Sequence, residues 1–159
     1  PLVAVSTILG FLLALQSLVD LRTRLLPHAL NLLVFLLGLA VAPHYTFVTW
    51  FSALAATALL FASFLAMGML STKLAGKPAL GAGDLYLVAA LGPWLGLGGV
   101  PPFLLAVAAL GVGMLAWQRN NPKRKKGEPY PFGPILAAAG WLAYLYQYLY
   151  WQCIASLAT

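Results

Sequence analysis

Six apolar stretches, residues 2–19, 28–42, 47–70, 84–98, 101–117 and 132–151, occupy most of this 159-residue chain. Water cannot hold such a chain folded. Hydrophobic residues make up 62% and charged residues 8%, whereas soluble domains carry about 25% charged residues. In lipid each backbone N–H and C=O must bond within its own segment, so apolar stretches of this length become helices of ~20 residues. The expected fold is all-α: a polytopic transmembrane bundle of about six helices, forming a single domain over residues 1–159. The stretches 28–42 and 84–98 are short for a full span, so their helices are expected to run into the flanking motifs. Turn residues separate the stretches, at Pro43-His44-Tyr45, Gly76-Lys77-Pro78, Gly98-Gly99-Val100-Pro101-Pro102 and Asn120-Asn121-Pro122.

The basic residues give this arrangement a direction. Arg22 and Arg24 follow the first stretch, Lys73 and Lys77 the third, and Arg119 and Lys123 to Lys126 the fifth. All nine Lys and Arg residues therefore lie in odd-numbered loops. Short loops rich in Lys and Arg stay on the cytoplasmic side, which places both termini on the non-cytoplasmic side of a bacterial inner membrane. The net charge of +6 is thus a membrane-flanking charge and does not indicate a nucleic-acid surface. No basic region precedes the first stretch, which reads as a spanning helix and not as a signal peptide. Aromatic residues 148–151 suit an outer interfacial belt, and small residues such as Ala53, Ala56, Gly111, Gly113 and Gly140 suit close helix packing.

Only three acidic residues are present, Asp20, Asp84 and Glu128, and two of them stand at the edge of hydrocarbon. An ionisable group there is costly and marks function. Asp20 ends the first stretch in Asp20-Leu21-Arg22-Thr23-Arg24-Leu25-Leu26-Pro27, and Asp84 opens the fourth in Gly81-Ala82-Gly83-Asp84. Each has a plain reading: Asp84 as a helix N-cap, and Asp20 as a membrane-edge acid beside arginines, with Pro27 starting the next helix. Together, at one membrane level, they suggest paired carboxylates for acid–base hydrolysis, as in aspartic proteases. Their titrations would be coupled. They can meet if the first and fourth helices are neighbours. Arg22, at i+2 on a helix, does not face Asp20 and is expected to anchor at lipid headgroups. Gly81 and Gly83 would give a substrate backbone room to approach in extended form. No metal site is expected, since His28 and His44 lie at opposite ends of the second stretch and Cys153 is the single cysteine.

These segments, with Pro131-Phe132-Gly133-Pro134, resemble the three signatures of the type IV prepilin peptidase family, the integral-membrane aspartic proteases of Gly-x-Gly-Asp type. The similarity runs in family order from Asp20 to about Gly140, and includes the stretch Leu87 to Gly96. The resemblance implies removal of the basic leader from type IV prepilins or pseudopilins at the cytoplasmic face, with Asp20 and Asp84 as the catalytic pair. Arg22 and Pro27 would support them, and Gly81, Gly83, Pro131, Phe132 and Gly133 would lie against substrate. Two positions depart from the pattern, with Tyr86 where Lys is frequent and His28 where Asn or Asp is frequent.

The implied partners are the prepilin or pseudopilin precursor and the lipid bilayer. The peptidase reaction needs no cofactor. S-adenosylmethionine would serve only the N-methyltransferase activity of many members, which the absence of their cysteine-rich zinc region from this sequence puts in doubt. A different class, a proton-coupled transporter component using the same aspartates, would favour acids near mid-membrane, and here both acids stand at the cytoplasmic edge.

Overall fold

The computed structural model describes residues 2–23, 27–44, 48–76, 80–119 and 132–157. Among them are five α-helices: α1 (Leu2–Thr23), α2 (His28–Val41), α3 (Trp50–Ala75), α4 (Ala82–Arg119) and α5 (Gly133–Leu157). A 3₁₀ turn at Ala42–His44 extends α2. No strand occurs among the described residues. Segments of α1, α3 and α4 (Ala4–Thr23, Trp50–Leu74, Ala82–Trp117) are long and apolar enough to cross a bilayer. The outer surface is correspondingly greasy: Phe11, Phe51, Leu105 and Val112 are all more than 65% exposed, as lipid-facing side chains must be. This is a membrane protein.

Local chemistry sets the helix ends. Pro27 precedes α2 in extended conformation, and its carbonyl accepts the N–H groups of Leu30 and Asn31. It is therefore the N-cap, one residue ahead of the helical position expected for it. Thr49 caps α3 by accepting the Ser52 N–H at 3.2 Å.

Stretches 84–98 and 101–117 are the two arms of one continuous element, two helical segments joined at a kink. A straight helix of 38 residues would run ~57 Å, far beyond ~30 Å of hydrocarbon. The backbone instead breaks at Gly96, at φ 56° and ψ −177°. This left-handed conformation suits glycine, so the break falls there and Pro101 and Pro102 remain helical. Before it, Leu91 packs at Gly140 and Trp94 against Tyr144. After it, Gly99 meets Gln147, then Leu110, Gly113 and Trp117 line a groove with Pro134 and Ile135. Helix α4 therefore doubles back along α5. The Leu97 N–H, freed by the break, donates to Ser52 Oγ of α3 at 2.8 Å.

Helix α4 is the hub, packed against α2, α3 and α5, while α1 packs chiefly on α5. The core gathers Leu60 and Phe64 of α3, Leu87, Leu91, Trp94 and Phe103 of α4, and Leu136 and Tyr144 of α5. Buried Trp94 donates its indole N–H to the Val34 carbonyl at 2.9 Å, over the bare Cα of Gly38. The aromatic cluster of α5 divides in two: Tyr144 is fully buried, and Tyr146, Tyr150 and Trp151 are exposed. Of the small residues, Ala53, Ala56 and Gly140 lie at packed surfaces, whereas a side chain at Gly111 or Gly113 would meet nothing within 4 Å.

Candidate active site

Both aspartates stand at helix ends on one side of the bundle. Asp20 lies in the last turn of α1 and is buried, at 5% exposure. Its Oδ2 accepts the N–H of Gly133, the first residue of α5, at 3.2 Å. The carboxylate thus sits on the N-terminus of a 25-residue helix, where unpaired N–H groups and the helix dipole favour negative charge. The contact is tight: a Cβ on Gly133 would lie 2.7 Å from Asp20 Oδ2. Phe132 precedes α5, its carbonyl accepting the N–H groups of Ile135 and Leu136 at 3.1 Å each.

Asp84 occupies the third position of α4, and its Oδ2 accepts the N–H of Gly81 at 3.2 Å. The Gly81 carbonyl in turn accepts the Leu85 N–H. This is the reaching-back half of a capping box, with Asp in the place usual for Glu. Asp84 is thus an N-terminal residue of its helix, as the plain reading had it, though at the third position and not at the cap. That role coexists with its place at a helix end on the same side of the bundle as Asp20.

The remaining predicted residues divide clearly. Gly81 is exposed and Gly83 half-buried. Neither uses a left-handed backbone, which among the described glycines belongs to Gly76 and Gly96. What Gly81 contributes is space, for a Cβ there would stand 3.3 Å from Asp84 Oδ2. Gly133 holds Asp20, and Phe132 is half-buried against the core. Arg22 is exposed. Pro131 and the basic run Lys123 to Lys126 lie outside the described residues. His28 and His44 stand at opposite ends of the α2 segment, and no group of three or more His, Cys, Asp or Glu side chains suited to a metal ion occurs among the described residues. The two positions noted for their departure from the pattern meet: the His28 and Tyr86 rings pack edge to face, 5.1 Å between centroids. They stand at a groove of about 360 Å³ between α2, α3 and α4, lined deeper by Leu32, Phe35 and Ala90.

Two residues of the site escaped the sequence reading. Gln16, fully buried on α1, donates through Nε2 to Asn31 Oδ1 at 2.6 Å. Asn31, buried on α2, donates through Nδ2 to the Gly83 carbonyl at 3.2 Å. Their signal was available, since each is an amide inside a run of leucines, but a single polar residue in an apolar stretch does not say what it faces.

A family model described as the type IV leader peptidase family matches residues 7–116. Similar proteins include the prepilin leader peptidase/N-methyltransferase of Xanthomonas campestris pv. campestris, 34% identical over 139 residues, covering 87% of this chain and 48% of the relative. The protein of the same name from Pectobacterium carotovorum subsp. carotovorum is 38% identical over 136 residues, covering 84% and 47%. That of Neisseria gonorrhoeae is 29% identical over 145 residues, covering 91% and 49%. The chain spans about half the length of these relatives. No solved structure matches it significantly.

Proposed function

The chain belongs to the type IV leader peptidase family, and on that premise we propose that it is the transmembrane core of a prepilin peptidase, an aspartic endopeptidase that removes the leader of type IV prepilins or pseudopilins. What supports the reading is that Asp20 and Asp84 each hold a backbone N–H at a helix end and are linked through Gln16, Asn31 and the Gly83 carbonyl. One carboxylate, ionised, takes a proton from a water held between the pair as the water oxygen attacks the scissile carbonyl. The other, protonated, donates to the carbonyl oxygen. The resulting diol collapses as the C–N bond breaks and a proton passes to the leaving amine, with no covalent intermediate.

Each carboxylate has one oxygen oriented by a backbone N–H, from Gly133 and Gly81, and the second oxygen of each serves the water. Exposed Gly81 leaves room beside Asp84 for an extended substrate backbone, and Gly83, Phe132 and Gly133 border that approach. The loop charges support a bacterial inner-membrane topology in which this end of the bundle faces the cytoplasm and both termini face away. All of residues 1–159 act as one peptidase core. The grooves beside the motifs are walled by side chains such as Leu32, Phe35, Leu65 and Met69, and the hydroxyls of Thr57 and Thr72 bond back to their own helix. No methyl transfer is assigned to the described residues.

The test is cleavage of a prepilin by the membrane-inserted chain and by its Asp20→Asn and Asp84→Asn variants. Each substitution is expected to lower the rate by about a hundredfold or more while leaving insertion intact. Cleavage at the wild-type rate by either inserted variant would overturn the assignment.

A further inference from the structure

We infer that Gln16 and Asn31 are positioning residues, a polar bracket that holds the turn carrying Asp84 at a set place relative to Asp20; its kinetic consequence rests on the peptidase reading above. Helix α1 packs mainly on α5, and α4 on α2, α3 and α5, so the two aspartates belong to helices that are not a principal packed pair. The bracket crosses that gap by way of α2. Gln16 lies one turn before Asp20 on the same face of α1, since residues four apart are neighbours on a helix surface. Its bond to Asn31 and the bond of Asn31 to the Gly83 carbonyl end at the peptide immediately before Asp84.

The direction of the relay is dictated at its far end. A carbonyl only accepts, so Asn31 turns its NH₂ to Gly83 and its oxygen to Gln16, which must answer with its own NH₂. Gln16 Oε1 is left buried with no hydrogen-bond partner among the described residues. Buried amides in an apolar bundle weaken it unless they are bonded, and leucines at these positions would pack the helices as well. What leucine cannot do is fix the first turn of α4 against α1 at a single register.

The experiment compares the full chain in proteoliposomes with Asn31→Asp, Asn31→Leu, Gln16→Met and the Gln16→Met/Asn31→Leu double variant. Asn31→Asp keeps the acceptor for Gln16 and removes the donor to Gly83. Readouts are kcat and KM for a prepilin, and amide hydrogen exchange over residues 81–86. Each single variant is expected to lose on the order of tenfold or more in kcat, because a small misplacement of a reacting group is that costly. KM should stay within about twofold, since substrate contacts are untouched. Exchange over 81–86 should rise while the α3–α4 contact around Thr57 and Gly92 stays protected. The double variant should be no worse than the worse single, as expected for one relay. A Gln147→Met control, remote from the bracket, should match wild type.

Folded Asn31→Asp with wild-type kcat and unchanged exchange overturns the bracket, as do independent, additive losses in the double variant. Should Asn31→Leu fail to fold, Gln16→Met, close in shape, carries the same comparison. If the wild type cuts no prepilin the peptidase reading fails, and the exchange comparison alone decides the bracket, unchanged protection of 81–86 counting against it.

Discussion

Asp20 accepts the backbone N–H of Gly133 at 3.2 Å, so the carboxylate that ends the first helix caps the start of the last. Residues 113 positions apart thereby become one unit, and the segment around Phe132 and Gly133 acquires a definite task, which is to orient an acid.

Gly133→Ala isolates that relationship. The Gly133 backbone is not in the left-handed region, so alanine is tolerated conformationally, but its Cβ would fall 2.7 Å from Asp20 Oδ2. Helix α5 should form normally while cleavage drops by roughly ten- to a hundredfold from the displaced carboxylate. A prepilin assay beside a thermal unfolding curve checks this, and wild-type turnover by the folded variant would remove Gly133 from the site.

A contrast between two glycines tests the packing of the hub. At Gly92 a Cβ would collide with the Thr57 backbone of α3, whereas at Gly111 it would meet nothing within 4 Å. Gly92→Ala should destabilise the bundle by about 1–3 kcal/mol through overpacking. Gly111→Ala should be neutral or stabilising by up to ~1 kcal/mol, since alanine is the better helix former. Unfolding in mixed detergent measures both, and equal effects would contradict the packing described.

Gly96 should also resist replacement. Alanine there costs ~1–2 kcal/mol for the left-handed backbone alone, and its Cβ would press on Ser52 Oγ at 2.8 Å. Ser52→Ala, which removes the acceptor for the Leu97 N–H, should cost about 1 kcal/mol. The same unfolding measurement ranks the two.

Topology can be read with the chain's own thiol. Cys153 is free and exposed near the end of α5, and Lys73 is exposed near the end of α3, on the side of Gly81 and Asp84. A membrane-impermeant maleimide applied to intact cells should label Cys153. A Lys73→Cys variant in a Cys153→Ser background should react only after the membrane is opened. The reverse pattern would invert the proposed orientation.

The membrane character, the all-helical class and both aspartates were legible in the sequence, because each rests on local chemistry. Long apolar stretches permit only helices in lipid, and an acid at their edge stands out against leucine. The arms of α4 were legible as two stretches, but the break was expected at Gly98–Pro102 and lies at Gly96, where a left-handed backbone finds an acceptor for Leu97 on another helix. Gln16 and Asn31 stayed unread for a related reason: an amide among leucines is a known cost with an unknown partner.

The sequence by itself determined that this is a helical membrane protein, that its basic residues follow alternate apolar stretches and that two carboxylates end or begin helices. Tertiary structure decided what holds each of those carboxylates in place. Sequence left open whether α1 and α4 are neighbours. Intermediaries hold them, α5 holding Asp20 at Gly133 and α2 holding the Asp84 turn at Gly83. Hydrogen bonds between distant segments depend on which helix faces lie together. Apolar surfaces, being non-directional, leave that choice to close packing and to the few buried polar groups that must find partners.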